Sequence, residues 1–332
     1  MQTATTRRVQ GNSSSMDTTT LGRTGLRVSV AGLGCGGFSR LGISTGSTEA
    51  QAEAIVRLAI DSGITLIDTA AQYGTEEIVG RAIRGVSRSD LVITTKCLIL
   101  QDGRPITAAD LLTSLDASLR RLDTDYVDVF QLHGVAPEHY DEAMATLLPA
   151  LLRAREHGKI RFLGITESGA KDPDHTMLCR AAADGVWDVG MVAFNMLHRT
   201  ASDRLFPLAV AHGMGTLVMH AVRSIFARPD FLAASIQELA AKGRVPAALI
   251  DNPAPLDFLV HPGGAESVTD AAYRFARYTP GVSVVLFGTG SPAHLQANIA
   301  SLSRPPLPVA DVERLLDLFG NVSGLGLENP KS

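Results

Sequence analysis

Asp68, Tyr73, Lys96 and His133 carry side chains that together could move a proton, and each sits at or just beyond the end of a short apolar run. Asp68 closes Thr65, Leu66 and Ile67; Tyr73 follows in the next loop; Lys96 closes residues 91–95; His133 closes Val129, Phe130, Gln131 and Leu132. These types suit a carbonyl taking up hydride, because negative charge builds on its oxygen and a nearby hydroxyl must donate a proton. A free tyrosine, with a pKa of about 10, holds its proton at neutrality but releases it reluctantly. The Lys96 cation is expected to favour phenolate and lower the Tyr73 pKa, while Asp68 keeps Lys96 charged and oriented. His133 could donate a hydrogen bond to a substrate oxygen or help relay the proton. A buried Asp68–Lys96 pair beside a core tyrosine and a capped histidine is a purely structural alternative, and spacing alone leaves both readings open.

Residues so far apart in sequence need a fold that gathers strand ends. From Val28 onward, short β-branched runs alternate with longer helical patterns, as βα units do. The expected strands are residues 28–33, 65–69, 91–96, 126–133, 160–166, 190–195, 215–220 and 282–288, enough for an α/β fold of the (β/α)8 TIM barrel type. In such a barrel the four residues meet at the rim that carries active sites. Helices are expected from Thr48 to about Asp61, after a Thr107/Asp110 capping box, over 139–156 and over 267–277, with Gly158 and Gly281 as helix exits. Residues 229–259 form a long excursion between the last two strands, and 309–319 read as a final amphipathic helix.

Two glycine clusters offer backbone rather than side chains. Gly32, Gly34, Gly36 and Gly37 match neither a doubly wound dinucleotide fingerprint nor a P-loop, so they read as a turn or a pocket floor. Gly288, Thr289 and Gly290 run into Ser291 and Pro292, a possible helix start whose free amides would suit a phosphate as well as a simple cap. Histidines and cysteines show no metal-ligand spacing, and no nucleophile elbow accompanies the serines. Cys97 reads as buried filler.

Composition bounds the remaining classes. The 45% hydrophobic share supports a large core, and the net charge of -4 is dispersed, which argues against a nucleic-acid surface. Three separated cysteines fit a reducing compartment, so a cytoplasmic protein is expected. No apolar run reaches the roughly 20 residues of a membrane span. Residues 1–16 read as a flexible extension ahead of one barrel domain, 17–332, that includes the C-terminal helix.

Together the landmarks resemble the aldo-keto reductase superfamily from about Thr20 to Phe319. They are Leu21 to Leu26, Asp68 to Gly74, the Thr94-Thr95-Lys96 ending, Gln131-Leu132-His133, and Gly158 to Gly164. The resemblance implies an NADP- or NAD-dependent oxidoreductase, with NADP favoured, acting on a small aldehyde, ketone or sugar carbonyl or alcohol. Asp68, Tyr73, Lys96 and His133 would be its catalytic tetrad and no metal would take part. Gly34, the carboxamide positions Thr166, Glu167 and Met191, and Phe194 beneath the nicotinamide would face the cofactor. Gly288, Thr289, Gly290, His294 and Asn298 would meet its phosphates and adenosine. This sequence departs from the family pattern at Glu167 and Met191, where an asparagine and a glutamine are usual, and at Gly288 and His294, where cations are usual. Those departures keep a second implied class open, a cofactor-binding accessory or regulatory barrel with little turnover.

Overall fold

The computed structural model describes residues 16–327. The expected extension therefore lies outside the described residues, except that Met16 is buried and packs against Gly63. Eight parallel strands close into a barrel: Ala31–Gly34 (β1), Leu66–Asp68 (β2), Val92–Leu98 (β3), Val127–Val135 (β4), Ile160–Glu167 (β5), Val189–Ala193 (β6), Gly215–Met219 (β7) and Val284–Phe287 (β8). Each pairs with the next, and β8 pairs with β1, so the sheet has no free edge. The (β/α)8 TIM barrel is thus the architecture of this chain.

Alternation along the strands separates two cores. Leu66, Val92, Val129, Val189, Met191, Leu217, Val284 and Leu286 point inward and fill the barrel. The intervening residues, among them Ile67, Ile93, Phe130, Leu163, Ile165 and Val192, point outward under the helices. The expected first strand is two elements. Arg27–Ser29 pairs antiparallel with Thr18–Thr20 as a hairpin, and only Ala31–Gly34 joins the barrel. Leu21, Leu26 and Val28 of that hairpin belong to the inner cluster, so it floors the barrel.

The helices follow from local chemistry. Thr48 and Gln51 form a reciprocal capping box before Glu49–Asp61, and Thr107 with Asp110 does the same for Ala108–Leu122. The expected helix over 139–156 is two pieces, Tyr140–Thr146 and Leu148–Glu156, because Pro149 has no N–H to continue the first. Gly158 and Gly281 take the left-handed backbone expected of chain exits, with φ of 74° and 91°. The excursion after β7 holds the helix Pro229–Ala241 and two 3₁₀ turns, and the final helix is Val309–Phe319. No described helix is long and apolar enough to cross a membrane.

Candidate active site

At the C-terminal rim, register sets the constellation. Gly34 pairs with Asp68, Asp68 with Thr94, and Lys96 with Gln131, so inward positions of four consecutive strands meet. Lys96 is completely buried and Asp68 is 4% exposed. The ammonium Nζ donates to both Asp68 oxygens at 2.6 and 2.7 Å and to the Thr69 carbonyl at 2.9 Å. Thr94 Oγ1 donates to Asp68 Oδ1 at 3.1 Å, and Gln131 Nε2 bonds both Thr94 and Asp68. A carboxylate so surrounded keeps a buried cation fixed. Burial opposes the Lys96 charge, yet Asp68 and Tyr73 hold its pKa above the ordinary lysine value.

Tyr73 arrives on the 3₁₀ turn Ala71–Tyr73 that follows β2. Its ring centre lies 5.2 Å from Lys96 Nζ, and the His133 ring meets it edge-on at 5.8 Å. Gly36 lies close against the phenol: a Cβ there would stand 2.3 Å from Tyr73 Cε2. Burial raises the Tyr73 pKa; Lys96 pulls it down, as expected, but does not prevail, and Asp68 works against it. The expected lowering is therefore reversed, because desolvation of phenolate outweighs one nearby cation. Burial, with Lys96 second, pushes the His133 pKa down to about 3, so this imidazole is neutral. Gln72 Nε2 contacts His133 Nδ1.

The remaining expected positions separate into three groups. Thr166 and Met191 pair in register on the inner face, with Thr166 Oγ1 accepting from Gly134 N at 2.7 Å. Gly34 and Gly288 adjoin, since a Cβ on Gly288 would lie 2.9 Å from the Gly34 carbonyl oxygen. Gly290 meets Gly42 of the loop after β1 just as closely. Thr289 Oγ1 accepts from Ser291 N, and Ser291 caps the helix Pro292–Ser303, which carries exposed His294 and half-buried Asn298.

Glu167 and Phe194 are placed differently from the expectation that they face a ligand. Glu167 follows Thr166 and so points outward, where its carboxylate pairs with His175 Nδ1 at 2.9 Å and accepts from Ala193 N at 2.8 Å. Phe194 lies beyond the end of β6, fully buried between Phe206 and Phe275 in the outer core. Both departures follow from strand parity. Cys35 is fully buried and its thiol pKa is raised by burial, while Cys97 is 8% exposed. Among the described residues no three His, Cys, Asp or Glu side chains are grouped to hold a metal.

Sequence reasoning gave no role to Gln72, Thr94 or Gln131, and read Gly36 only as part of a turn or pocket floor. Thr94 and Gln131 precede Lys96 and His133 by one strand repeat, so period-two alternation already places them on the same face. Gln72 and Gly36 lie on loops, where no such period applies.

A profile of the Aldo/keto reductase family matches residues 32–318. Among curated proteins, the aldo-keto reductase YhdN of Bacillus subtilis is 28% identical over 299 residues, 85% of this chain and 87% of that protein. L-Galactose dehydrogenase of Arabidopsis thaliana is 38% identical over 152 residues, 44% of this chain and 47% of that enzyme, so that match spans about half its length. Among solved structures, an aldo/keto reductase from Klebsiella pneumoniae in complex with NADP and acetate superposes with a TM-score of 0.66 at 25% identity, covering 92% of this chain and 95% of that one. The aldo-keto reductase AKR11C1 of Bacillus halodurans shares the fold with a TM-score of 0.71 at 23% identity over 94% of this chain and all of that one. A barrel whose rim gathers Asp68, Tyr73, Lys96 and His133, matched by that profile over most of its length, belongs to the aldo/keto reductase family of NAD(P)-dependent oxidoreductases.

Proposed function

We propose that this chain interconverts a small aldehyde, ketone or sugar carbonyl and its alcohol, using NADP or NAD, with Tyr73 as general acid in reduction and general base in oxidation. The observation that carries this reading is the buried Lys96, held by three acceptors and set 5.2 Å from the Tyr73 ring. A cation so immobilised acts on the phenol without reorganising. It stabilises phenolate when the proton leaves, and Asp68 prevents Lys96 from surrendering a proton of its own. Neutral His133, edge-on to the phenol, is placed to hydrogen-bond the same substrate oxygen.

When bound, the nicotinamide cofactor supplies or accepts the hydride. The strand ends on one side of the rim fit such a polar ligand. Just beyond β7, His220 Nδ1 and Ser224 Oγ are buried with no protein partner. Thr166 accepts from Gly134 and keeps its own hydroxyl proton to donate, and Met191 lies beside it. Gly34 and residues Gly288, Thr289 and Gly290 would offer backbone to the phosphates, with His294 and Asn298 on the following helix toward the adenosine. We leave Glu167 and Phe194 out of this set because their side chains are committed to the outer layer.

Apolar surface at the rim bears on the substrate. Phe38, in the loop after β1, is 78% exposed, and Leu98, paired with His133, is 44% exposed. These suit an acceptor with an apolar portion beside its carbonyl. The partial match to L-galactose dehydrogenase favours a second reading, oxidation of a sugar hemiacetal by the same residues. Turnover of a carbonyl and sugar panel in both directions, with NADP(H) and NAD(H), tests the proposal. Turnover of at least one class is expected; tight cofactor binding without turnover on any compound would instead support the accessory barrel.

A further inference from the structure

We infer that Gln72 is a positioning residue that fixes His133 in the tautomer carrying its proton on Nε2, the nitrogen left for the substrate. The inference rests on the hydride-transfer reading above and starts from a count of donors. A neutral imidazole has one N–H, and which nitrogen bears it is decided by the partner of the other. His133 is neutral, because burial and the Lys96 cation disfavour a second proton. Gln72 Nε2 lies against His133 Nδ1. An amide nitrogen only donates, so Nδ1 must offer its lone pair and the single proton sits on Nε2. Among the described residues, no hydrogen bond joins a protein group to His133 Nε2. A half-turn of the ring would put Cδ2 in place of Nδ1 and forfeit the Gln72 contact, so that contact selects this orientation of a ring already held edge-on to Tyr73.

The chemical consequence is specific. With Nε2–H directed to the oxygen that Tyr73 protonates, the substrate receives two donors. With the proton on Nδ1, Nε2 would present a lone pair to that oxygen and repel it. Gln72 lies on the turn immediately before Tyr73, so one short loop supplies the acid and orders its neighbour. Gln72 is exposed, and the amide belongs to no other described hydrogen bond, which leaves a structural role little to act through.

The test is nitrogen-15 NMR of the imidazole-labelled, NADP-loaded protein, with His133 signals assigned by their loss in His133→Asn. The wild type is expected to show the proton on Nε2 throughout the neutral range. Gln72→Glu turns the partner into an acceptor and should move the proton to Nδ1, lowering kcat about a hundredfold, the low end of the range ascribed to positioned proton donors, while NADP affinity is unchanged. Gln72→Met, which keeps length but cannot bond, should show a mixture of tautomers and an intermediate kcat. A proton on Nδ1 in the wild type, or Gln72→Glu with unaltered imidazole signals and kcat, overturns the inference. The tautomer is read without turnover, so failure here is distinct from failure of the hydride-transfer reading, which Tyr73→Phe tests by itself.

Discussion

The Asp68–Lys96 pair shows how residue type and environment divide the work. Its members were legible as chemistry from the sequence because each ends a short apolar run, but their effect on Tyr73 was not. The sign of the Tyr73 shift depends on how much solvent the folded rim excludes, and burial wins over Lys96. Two predictions belong at this scale. Lys96→Met strands a carboxylate that is 4% exposed, and should destabilise the fold by about 3–5 kcal/mol in urea unfolding, as removal of one partner of a buried pair does. Adding Asp68→Asn should recover part of that loss; a double variant no more stable than Lys96→Met would contradict the pairing. Reduction needs protonated Tyr73 and neutral His133, both of which hold through neutrality, so its kcat should stay flat there and fall only in strong alkali. Alcohol oxidation needs the phenolate and should rise with pH over the same interval. A bell centred near the ordinary histidine pKa would show instead that His133 titrates.

At the level of elements, strand identity and the Thr107/Asp110 cap were readable because short β-branched runs and the Thr-x-x-Asp spacing are local signals. What escaped was set by single residues or by parity. Pro149 divides one expected helix, and the short helix Glu76–Ala82 has too few turns to show a period. Phe162, Gly164 and Thr166 share a face of β5, so Glu167 must turn outward, a conclusion the alternation already contained. Gly36 offers a sharper case. Its loop must pass the Tyr73 ring so closely that even a methyl would collide, at 2.3 Å. Gly36→Ala should therefore displace the phenol and lower kcat by up to about a hundredfold, the scale associated with a 1 Å misplacement. Unfolding by urea should remain cooperative with near-native stability; wild-type kcat in this variant would show that the ring has room to spare.

Across the whole molecule, the closed sheet and the C-terminal segment fix the rim, while the hairpin closes the opposite end of the barrel. Asn195 Nδ2 donates to the Leu325 carbonyl, Arg199 to that of Gly320, and Gly324 N to His198 Nδ1, so residues 320–327 lie across the loop after β6. None of these long-range ties has a local sequence signal. Burial of histidines sets the acid stability. Burial is the leading cause that pushes His133 and His220 to about 3 and His198 to about 4, below the ordinary histidine value of 6.5. The unfolded chain then binds protons that the folded chain refuses. Stability is fully present above the unfolded value and is lost as pH falls, by about 1.4 kcal/mol per pH unit for each histidine. Through these histidines urea midpoints should drop below neutrality, with protons taken up by all three imidazoles on unfolding near pH 5; imidazole signals showing any of the three protonated in the folded chain at that pH would contradict the buried neutral assignment. The central claim, that Tyr73 is the group that gives the proton, is tested most directly by Tyr73→Phe. With the best substrate of the panel, kcat for reduction should fall by about 10²–10⁴-fold while NADP affinity and urea stability stay near wild type. Retention of wild-type kcat in that variant would contradict it.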